Sequence, residues 1–327
     1  MKRWGRQRMK KISICIPCYN EETNIMDAYD RVTNVMKSLD RYDYEIIFAD
    51  NASKDNSAEI FYQLADQDKH VKVIFNFRNY GPMRSGKNAC FRATGDAIIS
   101  IPCDMQEPPE MIPEFVKEWE KGNLIVWGQK TKSKENPIKY FLRGVYYKII
   151  QNFSDVPQYE QTTAFGITDR SVYDMVRDLN EPNMAVRHLV ADLGYPVKLI
   201  PYTQEQRKKG KSSYNIWRYF DFALNSLVMT SRVPLRLTTI FGVICSLISF
   251  LMGMVYLIYK LICWDTFLAG MAPVVIAVFF LGSVQILTIG MVGEYVGSIL
   301  TKVTKRPLVL ERECLNFEEE DGKEGEA

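Results

Sequence analysis

Apolar residues run along this chain in two rhythms. As far as about residue 237 they come in short runs broken by polar stretches, and beyond it they are almost continuous. KISICIPCY, YEIIFAD, VKVIFN and DAIISIP are compact apolar runs that predict buried strands. Between them the spacing predicts amphipathic helices. The first runs from Asn20 through Leu39, with Asn20 as a cap and Glu21 and Glu22 in an acidic first turn. SAEIFYQLADQ predicts the second helix, and SGKNACFRAT, closed by Gly95, the third. Strand and helix in alternation predict an α/β fold, a mostly parallel sheet with helices on both faces. Ligands of such sheets bind beyond the carboxyl ends of the strands. The strand-end loops PCYNEE, DNASKD, NYGPMRSG and PCDMQEPPE are therefore expected around one cleft.

The second rhythm predicts two membrane spans, about 238–262 and 270–297, within a 238–300 hairpin. Each exceeds the ~20 apolar residues that cross the hydrocarbon layer. Arg232 and Arg236 precede the pair, and Lys302, Lys305 and Arg306 follow it, so both ends are expected on the cytoplasmic side. Trp264 suits the opposite interface, and Glu294 the inner one. NPIKYFLRGVYYKIIQNF (interface helix about 137–153) and the segment 213–237 mix aromatic and basic residues in amphipathic patterns; the first suits either the headgroup layer or the face of the sheet, and the second, running straight into a span, suits the headgroup layer. The basic tail 1–11 is either solvated or drawn to anionic lipid. Residues 301–327 are expected to form a cytoplasmic tail ending in the polar EEEDGKEGEA. The expected location is the inner (cytoplasmic) membrane, multi-pass, with the folded domain at 12–212 in the cytoplasm.

Composition narrows the chemistry. With 327 residues, 47% hydrophobic, 24% charged and a net charge of +2, the chain is globular in make-up and carries no excess charge for nucleic acid. Seven cysteines are scattered; Cys15 and Cys18 have the CxxC spacing but straddle a strand end and lack a second pair for zinc, so core packing is expected. Of the two histidines, His70 is expected in solvent and His188 on a helix surface. Neither GxGxxG nor GxxxxGK[ST] occurs. The loops instead offer Glu21, Asp50, Asn51, Asp55, Asp104, Gln106 and Glu107, oxygen ligands that suit a hard divalent cation. Arg78, Arg84, Lys87, Lys130, Arg143 and the run RKKGKSSYN are available for phosphates.

IPCYNEE, FADNASKDNS, FRNYGPMRSG and CDMQEPPE together resemble the inverting, GT-A type family 2 glycosyltransferases. RKKGKSSYN, GEYVGSI and KRPLVLERE narrow the likeness to bacterial polyprenyl-phosphate glycosyltransferases, with dolichol-phosphate mannose synthase more distant. The resemblance covers about 11–312. It implies a GT-A domain that moves one sugar from a nucleotide sugar, UDP-linked by expectation, to polyprenyl (undecaprenyl) phosphate, using Mg²⁺ or Mn²⁺. It also implies a homo-oligomer, a tetramer in relatives. The QxxRW motif of processive members is absent. By the same likeness, Pro17, Tyr19 and Glu21 contact the nucleoside, Asp50 reads the base with Asn51 beside it, and Gly81 belongs to the donor site. Asp104 and Gln106 are metal ligands, Arg207 and Ser212 close on the donor phosphates, and Lys130 and Arg143 hold the acceptor phosphate. Asp104 and Arg207 carry the catalytic role.

Two positions depart from that pattern. Pro102 replaces the first Asp of D-x-D, and Ala164 in TTAFGITDR replaces the Asp of a GDF segment. Neither loss rules out activity: Mg²⁺ is often held by one or two carboxylates with waters and substrate phosphates, so a water can stand for the missing Asp at 102, and a phosphate acceptor, whose second pKa near ~6 makes it a dianion at neutral pH, has no proton for a base at 164 to remove. Two other readings stay open: transfer to a lipid hydroxyl, and a degenerate scaffold that binds nucleotide or lipid.

Overall fold

In the computed structural model, the residues described are 8–132, 159, 162–179, 181, 184–205, 233–262, 271–304 and 307–317. Internal contacts divide the chain into two units. The first holds Met1–Tyr147, Pro157–Ser213 and Arg306–Ala327, and the second Lys148–Val156 and Tyr214–Lys305.

The first unit is built on one sheet. Its strands are β1 (Lys11–Cys18), β2 (Asp43–Asp50), β3 (Val71–Asn76), β4 (Ala97–Ser100), β5 (Ile125–Lys132), β6 (Gly166–Asp169), β7 (Lys198–Thr203) and β8 (Glu311–Leu315), in the order β7-β5-β6-β4-β1-β2-β3-β8. The central strands β4, β1, β2 and β3 are parallel, which brings their carboxyl ends side by side as the apolar runs predict. The sheet is more mixed than expected. β6 is antiparallel to both β4 and β5, and β8 is antiparallel to β3. Gly166 makes the β6 turn-in possible: its φ is +145°, and a Cβ there would collide with the Val126 carbonyl.

Side-chain alternation along the strands feeds two faces. Ile12, Ile14 and Ile16 pack with Ile25 and Val32 of α1 (Ile25–Lys37), Phe61 of α2 (Ser57–Gln67) and Phe115 of α4 (Ile112–Glu120). Cys15, Ile47 and Ile74 face Ala89 and Cys90 of α3 (Pro82–Arg92) and Tyr173 of α5 (Arg170–Asp178). Val172 and Val176 of α5 pack with Leu189 and Val190 of α6 (Val186–Asp192). Cys15 and Cys18 are fully buried, in keeping with core packing.

Three boundaries differ from the sequence reading. α1 begins at Ile25, not Asn20, because Asn20 takes a left-handed turn (φ +54°) and joins the next loop. α3 begins at Pro82, where a missing N–H costs a first helical turn nothing. Residues 307–317 are not a tail: Glu311–Leu315 is the eighth strand, with Val309 buried. His188 is also corrected. It is buried in α6, and burial first, then the Arg187 charge, depresses its pKa to about 4. His70 is half-exposed, stacked on Tyr44 and bonded to Asp68.

In the second unit, α7 (Val233–Ile262) and α8 (Met271–Val303) are long helices in contact with each other. Phe241, Leu247, Val255 and Leu261 on α7, and Val278, Ile286, Ile289 and Leu300 on α8, are exposed large apolar side chains. Taken over the described residues alone, no helix is long and apolar enough to cross a membrane. The interface helix about 137–153 and most of 213–237 lie outside the described residues.

Candidate active site

The first two strand-end loops are stitched to each other. The Asn20 N–H donates to Ser53 Oγ (2.9 Å), and the Lys54 N–H donates to Asn20 Oδ1 (2.8 Å). The Glu22 N–H donates to Asp55 Oδ2 (3.1 Å), and the Asn56 N–H donates back to Glu22 Oε2 (2.9 Å). Polar residues expected to start a helix thus fasten the first strand-end loop to the second. Pro17, Tyr19 and Glu21 are half-buried along the first loop, and Asn24 Nδ2 donates to Glu21 Oε2 (2.5 Å).

Asp50 ends β2 and is buried, level with Cys18 of β1 and Phe75 of β3. Its carboxylate accepts from the Ser53 N–H at 3.3 and 3.2 Å. Burial raises its pKa, and the Ser53 bonds and the Arg312 charge act against that rise. Asn51 has a different task from its neighbour. Its Oδ1 accepts from the Tyr80 N–H (2.9 Å) and Asn76 Nδ2 (3.4 Å), so the amide ties the second loop to the third. Gly81, at φ +83°, donates its N–H to Asn79 Oδ1 (2.8 Å) before α3 begins.

The fourth loop carries the candidate metal ligands. Met105 is buried in a left-handed conformation (φ +49°), and Asp104 and Gln106 flank it, both half-buried. The Gln106 N–H donates to Asp104 Oδ1 (3.3 Å), a local turn closed by the Asp104 side chain. Pro102, at the departure from D-x-D, accepts from the Met105 N–H through its carbonyl (3.3 Å). Among the described residues no group of three or more His, Cys, Asp or Glu is placed to hold a metal. One carboxylate and one amide fit Mg²⁺ or Mn²⁺ only as part of a shell completed by water and substrate phosphates, which is how Mg²⁺ is commonly held.

Glu107, named in the sequence only as one of several loop carboxylates, has the most perturbed site in this loop. It is buried, Thr163 Oγ1 donates to its Oε1, and the Tyr202 hydroxyl donates at 3.4 Å. Burial, with a smaller contribution from the Asp104 charge, pushes its pKa up to about 7 against the pull of the Thr163 bond. Ala164 follows Thr163 at φ +67°, its N–H donating to Thr162 Oγ1 (3.2 Å). Ala164 therefore lies one residue from a side chain that contacts a buried carboxyl. Lys130 of β5 is half-buried, and its charge is felt at Glu107.

Two basic residues expected at phosphates are engaged elsewhere. Lys87 is buried, and its Nζ donates to the carbonyls of Glu181 (2.7 Å) and Met184 (2.6 Å); burial lowers its pKa to about 8. Arg84 donates to the carbonyls of Leu308 (2.8 Å) and Pro307 (3.0 Å). Arg143, Arg207 and Ser212 lie outside the described residues. Glu205, just before that last segment, is anchored: its N–H donates to the Gln106 carbonyl (2.9 Å), and Arg31 joins it to Glu110.

Comparison with known proteins bears on this site. The profile of Glycosyl transferase family 2 matches residues 13–176. An uncharacterized glycosyltransferase, sll0501, of Synechocystis is 32% identical over 92% of this chain and 94% of its own length. A bactoprenol glucosyl transferase of Shigella phage SfII is 30% identical over 91% of this chain and 96% of its own. Among solved structures, a mannosyltransferase of Pyrobaculum calidifontis in complex with GDP-Man and Mn²⁺ gives a TM-score of 0.48 at 15% identity, over 68% of this chain and 64% of that one. The family match spans β1 through α5 and takes in all four loops of the cleft, and so the chain belongs to glycosyltransferase family 2 and is a glycosyltransferase.

Proposed function

We propose that this glycosyltransferase moves a single sugar from a nucleotide sugar to a polyprenyl phosphate at the cytoplasmic face of a membrane. The observation that carries the reading is similarity over nine tenths of the chain to proteins named bactoprenol glucosyl transferases. In this reading the nucleoside lies against Pro17, Tyr19 and Glu21, with Asp50 reading the base. Asp104 and Gln106 would hold a divalent cation, which when bound screens the charge of the leaving diphosphate. Arg207 and Ser212 complete the donor site, and Lys130 and Arg143 receive the acceptor phosphate.

The acceptor decides whether a base is needed. A hydroxyl must lose a proton as it attacks, whereas a phosphate dianion attacks as it stands, so catalysis becomes positioning and charge screening. Ala164 cannot accept a proton, which favours the phosphate over a lipid alcohol. The rate is expected to rise through the acceptor's second pKa near ~6 and then level. Ala164→Asp is expected to add little. A large gain from that change, or transfer to a lipid alcohol with none to polyprenyl phosphate, would promote the hydroxyl reading instead.

The same proposal takes α7 and α8 as two spans joined by a short outer turn. The described residues alone do not amount to a span, but over their full sequence 30 and 33 residues, at about 1.5 Å each, exceed the ~30 Å hydrocarbon thickness. Their exposed apolar side chains are at home in lipid and costly in water.

A further inference from the structure

PLVLERECLNF, residues 307–317, is held to the sheet at many points. Tyr62 donates its hydroxyl to Glu313 (2.6 Å), and Asn88 Nδ2 donates to Glu311 (2.6 Å). Asn316 Nδ2 donates to the carbonyls of Ala65 (2.6 Å) and Val71 (2.8 Å). Lys72 and Arg92 each sit 5.1 Å from the centre of the Phe317 ring. These contacts explain why a polar-looking segment becomes an edge strand.

The start of the segment does something further. The Phe77 N–H donates to the Leu310 carbonyl (3.0 Å), and Arg84 grips Pro307 and Leu308 through two carbonyls. Phe77 opens the β3–α3 loop, which contains Tyr80 and Gly81, and Arg84 lies in the first turn of α3 just after it. The middle of that loop is fixed from the other side, by Asn51. Arg84 also lies 5.5 Å from the centre of the Tyr80 ring, with Arg78 at 4.1 Å. One strand further along, Arg312 places its charge where Asp50 feels it. The segment therefore flanks the candidate donor site at the start of one loop and at the helix turn that follows it and, electrostatically, reaches the residue expected to read the base.

We infer that residues 307–317 are a positioning element of the nucleotide site: through Arg84 and Phe77 they set the β3–α3 loop against the base and ribose of a nucleoside diphosphate. This rests on the glycosyltransferase reading of the cleft. It makes Arg84 a positioning residue, not a phosphate ligand.

The test uses full-length protein, titrated with UDP and with GDP by calorimetry and assayed for donor and acceptor KM. Arg84→Ala is expected to weaken binding of the preferred nucleotide about tenfold, the scale of one lost charge-assisted contact. Donor KM should rise in step, with acceptor KM within about twofold of wild type. Arg84→Lys keeps the charge but loses the fork of donors, and is expected to recover part of the loss. If Arg84→Ala does not fold, Arg84→Lys carries the test alone, with about a threefold loss. Tyr62→Phe removes a contact of the same segment far from the loop, and is expected to lower Tm without moving donor KM. Nucleotide affinity unchanged in the folded Arg84 variants, or equal shifts in donor and acceptor KM, would overturn the inference alone. A wild-type chain that binds neither nucleotide would sink the reading of the cleft, and this inference with it.

Discussion

Of the fourth loop's three carboxylates, Asp104 stands half-exposed beside Gln106, whereas Glu107 is buried and bonded to Thr163 and Tyr202 and Glu110 is paired with Arg31. Under the proposed metal assignment, Asp104 is the carboxylate on which divalent-dependent turnover would depend. Asp104→Asn is expected to lose most metal-dependent turnover, at least about tenfold, with little change in Tm. Full activity in that variant, or undiminished wild-type activity in excess EDTA, contradicts the assignment. Glu45 makes the opposite case, a carboxylate with a structural task. Burial alone would raise its pKa, but Lys72 (2.8 Å), Ser13 (2.6 Å), the Thr94 N–H (2.7 Å) and Lys11 (2.9 Å) outweigh burial and hold it at about 2. A folded-state pKa below the unfolded one gives stability that is present above about pH 4.5 and lost as pH falls toward 2. That contribution is on the order of 3 kcal/mol. Thermal melts between pH 5 and pH 2 are expected to show a steep loss in wild type and a flatter, lower curve in Glu45→Gln, which leaves two lysines without their anion. Parallel curves would contradict the ion-pair account.

At the scale of elements, the short-range patterns were readable and the long-range ones were not. The apolar runs at β1 to β4 and the amphipathic helices α2 and α3 follow from local alternation and period, and they place the four loops. Local pattern places the start of α1 four residues too early, because Asn20 and Glu22 look like helix-start residues yet bond to partners 33 and 34 residues away. Glu107 finds Thr163 and Tyr202 at separations of 56 and 95 residues, and nothing beside it in EPPE signals its burial. β8 escaped for a related reason: ERECL lacks the apolar alternation of a strand, and its pairing with β3 depends on contacts with Tyr62, Asn88 and Ala65. Lys87 and Arg84 could be recognised as basic residues near a strand end, but not as groups committed to carbonyls. The close passage of β1 explains Gly95 better than helix closure does. A Cβ there would stand 2.6 Å from Ser13 Oγ and 2.8 Å from the Lys11 carbonyl. Gly95→Ala is accordingly expected to destabilise by about 1–3 kcal/mol, read as a lower denaturant midpoint at unchanged slope. No shift in the midpoint would contradict that packing.

At the scale of the molecule, the proposal joins a family 2 catalytic unit to a pair of membrane helices with both ends inside. Topology is testable without any assay of chemistry. In a background free of cysteine, Thr266→Cys in the outer turn is expected to react with an impermeant thiol reagent on intact cells, and Asn136→Cys only after lysis. The reverse pattern would invert the arrangement derived from Arg232, Arg236, Lys302, Lys305 and Arg306. The acceptor is what separates this transferase from one that glycosylates lipid alcohols, and a competition assay separates the two. Purified protein, with Mg²⁺ or Mn²⁺ and a panel of labelled nucleotide sugars, is offered polyprenyl phosphate in parallel with the matching polyprenol and with diacylglycerol. The account predicts one labelled sugar transferred to the polyprenyl phosphate from one nucleotide sugar of the panel, and none to either alcohol. Transfer to an alcohol with none to the phosphate, or no transfer from any donor, would contradict it.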